Sequence, residues 1–223
     1  FIGNFPVPSP SHKGPSQNEL FSANDLSNWV TMGEILSEMP SPLTQRKKRI
    51  VTDPNYGISI TEQNLTDHFY DTTLSEIEKI SIKNSKQEHP YMGRMAWPDR
   101  LDKPARTVVA TQLGRETLII EDKGTTEYRR ATIRECATFQ SFPYTYQFFG
   151  PSYSAKYKQA GDAVPPLLSF ALASSILLKE KYRTIKPKVR GTITEPANLI
   201  NSDQFTRKRK PSFTRKASFL VPA

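Results

Sequence analysis

The pattern of apolar and polar positions changes character several times along the chain. Residues 1–24 set Pro6, Pro8, Pro10 and Pro15 among serines, asparagines and glycines, the pattern of an extended connector. Thr31-Met-Gly-Glu34 is a capping box ahead of Ile35 and Leu36, which predicts a short helix stopped by Pro40 and Pro42. Gln45–Arg49 is a basic loop, readable as a solvated turn or as a phosphate contact. A second helix is expected from Thr73-Leu-Ser-Glu76, with Ile77 and Ile80 as its apolar stripe. From Arg106 the period shortens: Thr107–Thr111 and Thr117–Glu121 are β-branched runs around Gly114, which predicts a hairpin. Thr132-Ile-Arg-Glu135 caps a third helix carrying Ile133, Cys136, Ala137 and Gln140 toward Phe142-Pro143. Gly150-Pro151 opens a loop, and a last helix starts after Gly161-Asp162 with Pro165 and Pro166 in its first turn, where missing amides cost nothing. Its Leu167, Leu168, Phe170, Ala171, Leu172, Ile176 and Leu177 are apolar on nearly every side, so it is expected to be buried on most faces.

Composition narrows this picture. With 223 residues, 36% hydrophobic and 24% charged, the chain is an ordinary soluble one. The apolar run near Leu167–Leu178 is too short to span a bilayer. A single cysteine, Cys136, excludes an internal disulfide, a zinc cluster and a redox pair, and it fits a reducing, cytoplasmic setting. No basic, apolar leader opens the chain, so secretion is not expected. The chain begins at Phe1 without a methionine, which suggests a piece of something longer. From Lys179 onward there are twelve basic and three acidic residues, so the whole net charge of +9 belongs to the tail. Residues 184–223, with Arg207–Lys210 and Arg215-Lys216, read as a disordered basic extension able to bind phosphates.

Two segments carry the chemistry. The first runs from Arg129 to Pro143 and reads as a capped helix with a charged start and an aromatic exit. The second, Lys158 to Pro166, reads as a glycine turn feeding a helix N-terminus, where free amides favour an anionic or polar group. In this order and spacing they resemble the last two conserved blocks of the DNA cytosine-5 methyltransferases. The family pattern R-x-x-T-x-R-E-x-A-x-x-Q-x-F-P is matched by Arg129, Thr132, Arg134, Glu135, Ala137, Gln140, Phe142 and Pro143. Its second pattern, Q-x-G-N-x-V-x-P or a close variant, is fitted by Gln159, Gly161, Ala163, Val164 and Pro165. Asp102-Lys-Pro104-Ala-Arg-Thr107-Val108 looks like the segment that precedes these blocks. Phe1-Ile2-Gly3 and Thr31–Pro40 are more weakly similar to the end of the preceding block and the short helix after it. Two departures stand out. Asp162 replaces the usual asparagine, and a carboxylate only accepts, which tells against a contact to the methyl donor's own carboxylate. Thr138 stands where arginine is common.

The resemblance implies an α/β fold: the C-terminal portion of a two-lobed methyltransferase, with a mixed small recognition lobe and a helix returning to the cofactor domain. Residues 1–43 would be a connector and short helix from the catalytic lobe, 44–128 the target-recognition region, and 129–183 the last two motifs with the buried helix. Asp162, Ala163 and Val164 would edge S-adenosylmethionine. Arg129, Arg134, Glu135, Arg94 and Arg100 would bind DNA or organise the lobe. The partners implied are double-stranded DNA, with the target cytosine flipped out, and the N-terminal catalytic half. That half would supply the nucleophile, because no Pro-Cys pair, Phe-x-Gly-x-Gly or Glu-Asn-Val occurs here. This chain has no catalytic residue and no metal ligands by this reading, and alone it is expected to be inactive. Cys136, inside Glu-Cys-Ala, reads as a small packed hydrophobe. His12, His68 and His89 read as surface residues. The aromatics of Phe139–Phe149 are expected to pack the helix exit, while Trp97, beside Arg94 and Arg100, suits core packing and a DNA-facing role equally. A non-catalytic DNA-binding or regulatory derivative of the family is the alternative.

Overall fold

Three capping boxes set where the chain turns helical. A computed structural model describes residues 8, 11–14, 27–88, 93–112, 114–122 and 127–178. Thr31 and Glu34 cap each other through backbone N–H groups at 3.2 and 2.7 Å and start α1, Met32–Glu38. Ser75 and Glu78 start α2, Glu76–Gln87, and Thr132 and Glu135 start α3, Ile133–Phe139. Two further helices follow, α4 over Tyr153–Asp162 and α5 over Pro166–Leu178. Around them lie three two-stranded sheets: a parallel pair of β1 (His12–Lys13) with β2 (Ser27–Asn28), and antiparallel pairs of β3 (Ile50–Thr52) with β4 (Ser59–Thr61) and β5 (Ile119–Glu121) with β6 (Tyr128–Arg130). The basic extension from 184, most of the leading connector including Phe1–Gly3, and His89 lie outside the described residues.

The second helix starts two residues later than its sequence predicts. Thr73 bridges Arg129, and the Leu74 N–H donates to the Tyr128 carbonyl at 2.9 Å, so both stay extended and the cap passes to Ser75. That shift turns the helix. Ile82 and Lys86 face inward, while Ile77 and Ile80, the expected stripe, are 82% and 60% exposed. The expected hairpin also changes partners. Glu121 to Ile119 pairs with Tyr128 to Arg130, and Asp99 occupies the other side of Ile119, its N–H donating to the Ile119 carbonyl and its carboxylate accepting from the Ile119 N–H. Thr107–Thr111 is left without a strand partner, and Gly114 opens a 3-10 turn, Gly114–Glu116, rather than a hairpin turn.

Helix α4 occupies what reads in the sequence as a loop and a glycine turn. Ser152 caps it by accepting from the Ala155 N–H at 3.1 Å. It runs through Gly161 because only hydrogen fits there: a Cβ would stand 2.4 Å from the backbone of Val109 and Ala110. Thr107–Thr111 therefore finds its cover under the last turn of α4. One apolar core joins Met32, Val108, Leu118, Ile120, Ile133, Cys136, Ala137, Tyr157 and Ala160, so it draws on α1, β5, α3 and α4. Smaller clusters gather around Val51, Ile60 and Leu65, and around Leu74, Ile82 and Ile119.

Candidate functional site

The start of α3 is the densest polar centre among the described residues. Glu135 reaches back to accept from the Thr132 N–H at 2.7 Å, as a capping residue does. Arg129 meets the same carboxylate with two parallel bonds, Nη1 to Oε2 at 2.7 Å and Nη2 to Oε1 at 2.8 Å, and its Nε donates to Asp122 at 2.8 Å. Both side chains are buried, and the bidentate geometry is the strong form of a charge-assisted pair. Burial works to raise the Glu135 carboxyl, but the Arg129 guanidinium and the Thr132 amide outweigh it and hold it below the usual carboxylate range.

Arg134 leaves α3 in another direction and spends its guanidinium on neutral acceptors. It donates to the Thr66 carbonyl and hydroxyl at 2.9 Å each, to the Tyr146 carbonyl at 2.6 Å and to the Pro143 carbonyl at 3.3 Å. It is fully buried, over the ring of Phe148. Arg129, Arg134 and Glu135 thus bond to protein groups and tie the chain before α2 and the aromatic exit to α3. Phe142, Tyr144 and Phe148 are packed as expected, whereas Tyr146 and Phe149 remain exposed.

His68, read from sequence as a surface residue, is buried in this centre. Its Nε2 lies 2.6 Å from the Pro40 carbonyl, which only accepts, so the neutral ring carries its proton there. Nδ1 then accepts from the Thr132 hydroxyl at 3.2 Å. Burial pushes the imidazole below its ordinary value, against the pull of Glu135. His68 joins the end of α1 to the cap of α3. Neighbouring Asp67, at φ +60°, takes the Lys156 ammonium at 2.8 Å and the Tyr70 hydroxyl at 3.0 Å, which anchors α4. No sequence spacing marks either residue, because apart from Tyr70 the partners named lie 28 to 89 positions away.

Asp162, Ala163 and Val164 come together where α4 ends and α5 begins. Asp162 is exposed, Val164 is 61% exposed, and the adjoining Ala160 carbonyl accepts from Gln140 at 2.5 Å. The exposed carboxylate and the open isopropyl group leave this corner accessible and do not by themselves enclose a ligand. Beyond them α5 departs from expectation. Leu168, Leu172 and Ile176 are 50%, 44% and 46% exposed, so the helix expected to be buried is not covered by the described residues.

The remaining candidates separate clearly. Arg94 and Arg100 are exposed, and Arg100 pairs with Asp102 of the same segment. Trp97 is half-buried against Tyr128, ring centres 5.4 Å apart. In the basic loop Arg49 pairs with buried Glu62 and Arg46 lies over Phe69, while Lys47 and Lys48 remain exposed. Cys136 is buried, burial pushes its thiol up, and it packs in the core as expected. Among the described residues no group of His, Cys, Asp and Glu could hold a metal, and no helix is long and apolar enough to cross a membrane.

Comparison with known proteins bears on the same residues. The family model described as C-5 cytosine-specific DNA methylase matches residues 4–178. The chain is 40% identical over 84 residues to type II methyltransferase M.Eco47II of Escherichia coli, covering 38% of this chain and 18% of that protein. It is 42% identical over 77 residues to type II methyltransferase M.AgeI of Thalassovita gelatinovora, covering 34% and 17%. Over 96 residues it is 33% identical to DNA (cytosine-5)-methyltransferase 2 of Arabidopsis thaliana, covering 43% and 6%. The chain therefore matches less than a fifth of each of these relatives. No solved structure matches it significantly.

Proposed function

Because the chain belongs to the C-5 cytosine-specific DNA methylase family, we propose that it is the C-terminal part or second subunit of a DNA (cytosine-5-)-methyltransferase. The complete enzyme would transfer a methyl group to C5 of cytosine within a particular DNA sequence. The observation that carries this reading is α5. An apolar helix that the described residues leave open, next to a corner that would edge a cofactor without enclosing it, reads as half of an assembly. The other half is the catalytic lobe, which contributes the cysteine nucleophile and the rest of the pocket. Buried Cys136, with its thiol pushed up, has no thiolate to offer.

On this reading residues 44–128 form the target-recognition region, and Arg94 and Arg100 are its DNA-facing cations. Arg129, Arg134 and Glu135 organise that region rather than touch DNA, since each is spent on protein partners. Asp162, Ala163 and Val164 edge the cofactor. S-adenosylmethionine, when bound, supplies the methyl group. The basic extension after 183 adds sequence-independent attraction to phosphates, steep in salt dependence.

A methylation assay on plasmid DNA tests this. The 223-residue chain alone is expected to transfer no label, and transfer is expected on adding a fragment carrying the Pro-Cys and Phe-x-Gly-x-Gly motifs. Transfer by the chain alone would overturn the proposed division of labour. DNA binding with no activity in either mixture would favour a non-catalytic derivative of the family.

A further inference from the structure

The region between α2 and β5 contains a charge triad in which Lys86 and Asp99 are buried and Arg106 is partly so. Lys86, in the last turn of α2, is fully enclosed, and its Nζ donates to Asp99 Oδ2 at 2.8 Å. Arg106 donates through Nε to Asp99 Oδ1 at 2.5 Å and through Nη2 to the Thr117 carbonyl at 3.1 Å. The Ile119 N–H completes the set, donating to Asp99 Oδ2 at 2.8 Å. Burial works to raise the Asp99 carboxyl, but the bonds from Arg106 and Lys86 prevail and keep it below the usual carboxylate range.

Such a triad is a poor source of stability, because desolvation offsets most of the attraction and apolar groups of equal volume often serve as well. What it gains is one arrangement over its near alternatives. The chain it holds is the stretch from Arg94 to Arg106, which contains no helix or strand. At one end the Met95 N–H donates to the Lys86 carbonyl at 2.9 Å. At the other, Arg106 closes on Asp99. In between, the carbonyls of Leu101 and Lys103 accept from Gly33 and Met32 at the start of α1, at 2.8 and 2.9 Å. A Cβ on Gly33 would come within 2.9 Å of the Leu101 carbonyl, so this approach is close. The segment is pinned to α1, α2 and β5, yet Arg94, Arg100 and Lys103 reach solvent from it, Arg100 with its fork on Asp102 in an exposed pair that a base edge would have to displace.

We propose that Lys86, Asp99 and Arg106 are positioning residues for DNA sequence discrimination, fixing residues 94–103 so that Arg94 and Arg100 meet base edges in one register. This rests on the DNA methyltransferase reading above. An arginine fork pairs with guanine O6 and N7 only over a narrow range of positions, so its backbone must not wander. Phosphate attraction has no such demand and survives a looser segment.

The test is selection of duplexes from a randomised pool by the full 223-residue chain, with affinity for an unselected duplex measured at two salt concentrations. The native chain is expected to enrich a guanine-containing pattern. The charge-free pair Lys86→Met with Asp99→Asn is expected to lose about tenfold or more of that enrichment, the scale of one bidentate base contact. Its affinity for unselected DNA and its salt slope should stay within about twofold. Asp99→Glu keeps all charges and displaces the pin by one methylene, and it is expected to weaken or alter the pattern as well. If the double variant does not fold, this second variant decides. The same pattern at undiminished enrichment from a folded variant of either kind overturns the positioning role alone. A folded native chain that enriches nothing overturns the DNA reading, and the proposal with it.

Discussion

Helices α3 and α5 reverse the usual relation between composition and burial. The first, Ile-Arg-Glu-Cys-Ala-Thr-Phe, carries two charges and is buried over its first six residues. The second, Pro-Leu-Leu-Ser-Phe-Ala-Leu-Ala-Ser-Ser-Ile-Leu-Leu, carries no charge, yet Leu168, Leu172 and Ile176 stand about half open. Charge is tolerated in α3 because every cation and anion there has partners within the described residues: Arg129 and Asp122, Thr66, Pro143, Tyr146, His68. Apolar surface is left open in α5 because no described residue covers it. The comparison separates charge that the described residues satisfy among themselves from apolar surface that they leave open.

Breaking the complete part should have the largest effect. Glu135→Ala leaves Arg129 buried with only Asp122 as counter-charge and removes the acceptor of the Thr132 amide. Loss of one member of a buried pair costs about 3–5 kcal/mol. Urea unfolding of the variant is expected to show a loss of that size, and a loss below about 1 kcal/mol would mean the pair is not buried as described.

The opposite result is expected on α5. Leu172→Asp should change the unfolding free energy of the isolated chain by less than about 1 kcal/mol, since the position is already wetted. In the assembled enzyme the same carboxylate would be buried unpaired at a cost of several kcal/mol. Sedimentation is expected to show the native chain self-associating or pairing with the catalytic half, and the variant doing neither. Strong destabilisation of the variant alone would show that α5 is covered within this chain.

His68 sharpens the comparison through pH. Its folded-state value lies below the ordinary 6.5 because of burial, so the unfolded chain binds the proton more readily. The stability it contributes is complete above pH 6.5 and declines as pH falls from there toward the depressed folded value. Protonation would also force Nδ1 to donate toward a Thr132 hydroxyl that now donates to it. The native chain is expected to lose stability as pH falls below 6.5, with a slope that His68→Gln reduces. An unchanged slope would remove His68 from the account.

What the sequence discloses is the local part. Capping boxes at Thr31 and Thr132 are visible because both partners lie within one helical turn, and Cys136 is legible as core from its place in the α3 pattern. The register of Arg129, Arg134 and Glu135 with a known family is equally local. The joints are not legible. Asp67 with Lys156, His68 with Pro40 and Thr132, Lys86 with Asp99, and Gly161 against Ala110 depend on the fold to bring distant positions together. Gly161 did announce itself, as the glycine of the second block, but as a turn rather than as a close approach inside α4. The apolar composition of α5 predicts burial on most faces, yet the described residues leave Leu168, Leu172 and Ile176 about half exposed, because composition carries no address for what covers a helix.

The smallest expected effect tests how a misplaced cap misleads. Reading the second helix from Thr73 puts Ile77 and Ile80 on the buried face; starting it at Ser75 puts Ile82 there instead, against Leu74 and Ile119. Two isoleucines on one helix should therefore respond in opposite ways. Ile77→Ser exposes nothing new and removes an apolar group already in water, so its effect on unfolding should stay within about 0.5 kcal/mol. Ile82→Ser leaves a cavity and a hydroxyl with no partner, at a cost of about 2–4 kcal/mol. Thermal melts of the two variants side by side measure the rotation of the helix directly. Equal losses would restore the earlier start, and a larger loss at Ile77 would mean that this face of α2 is covered within the chain itself.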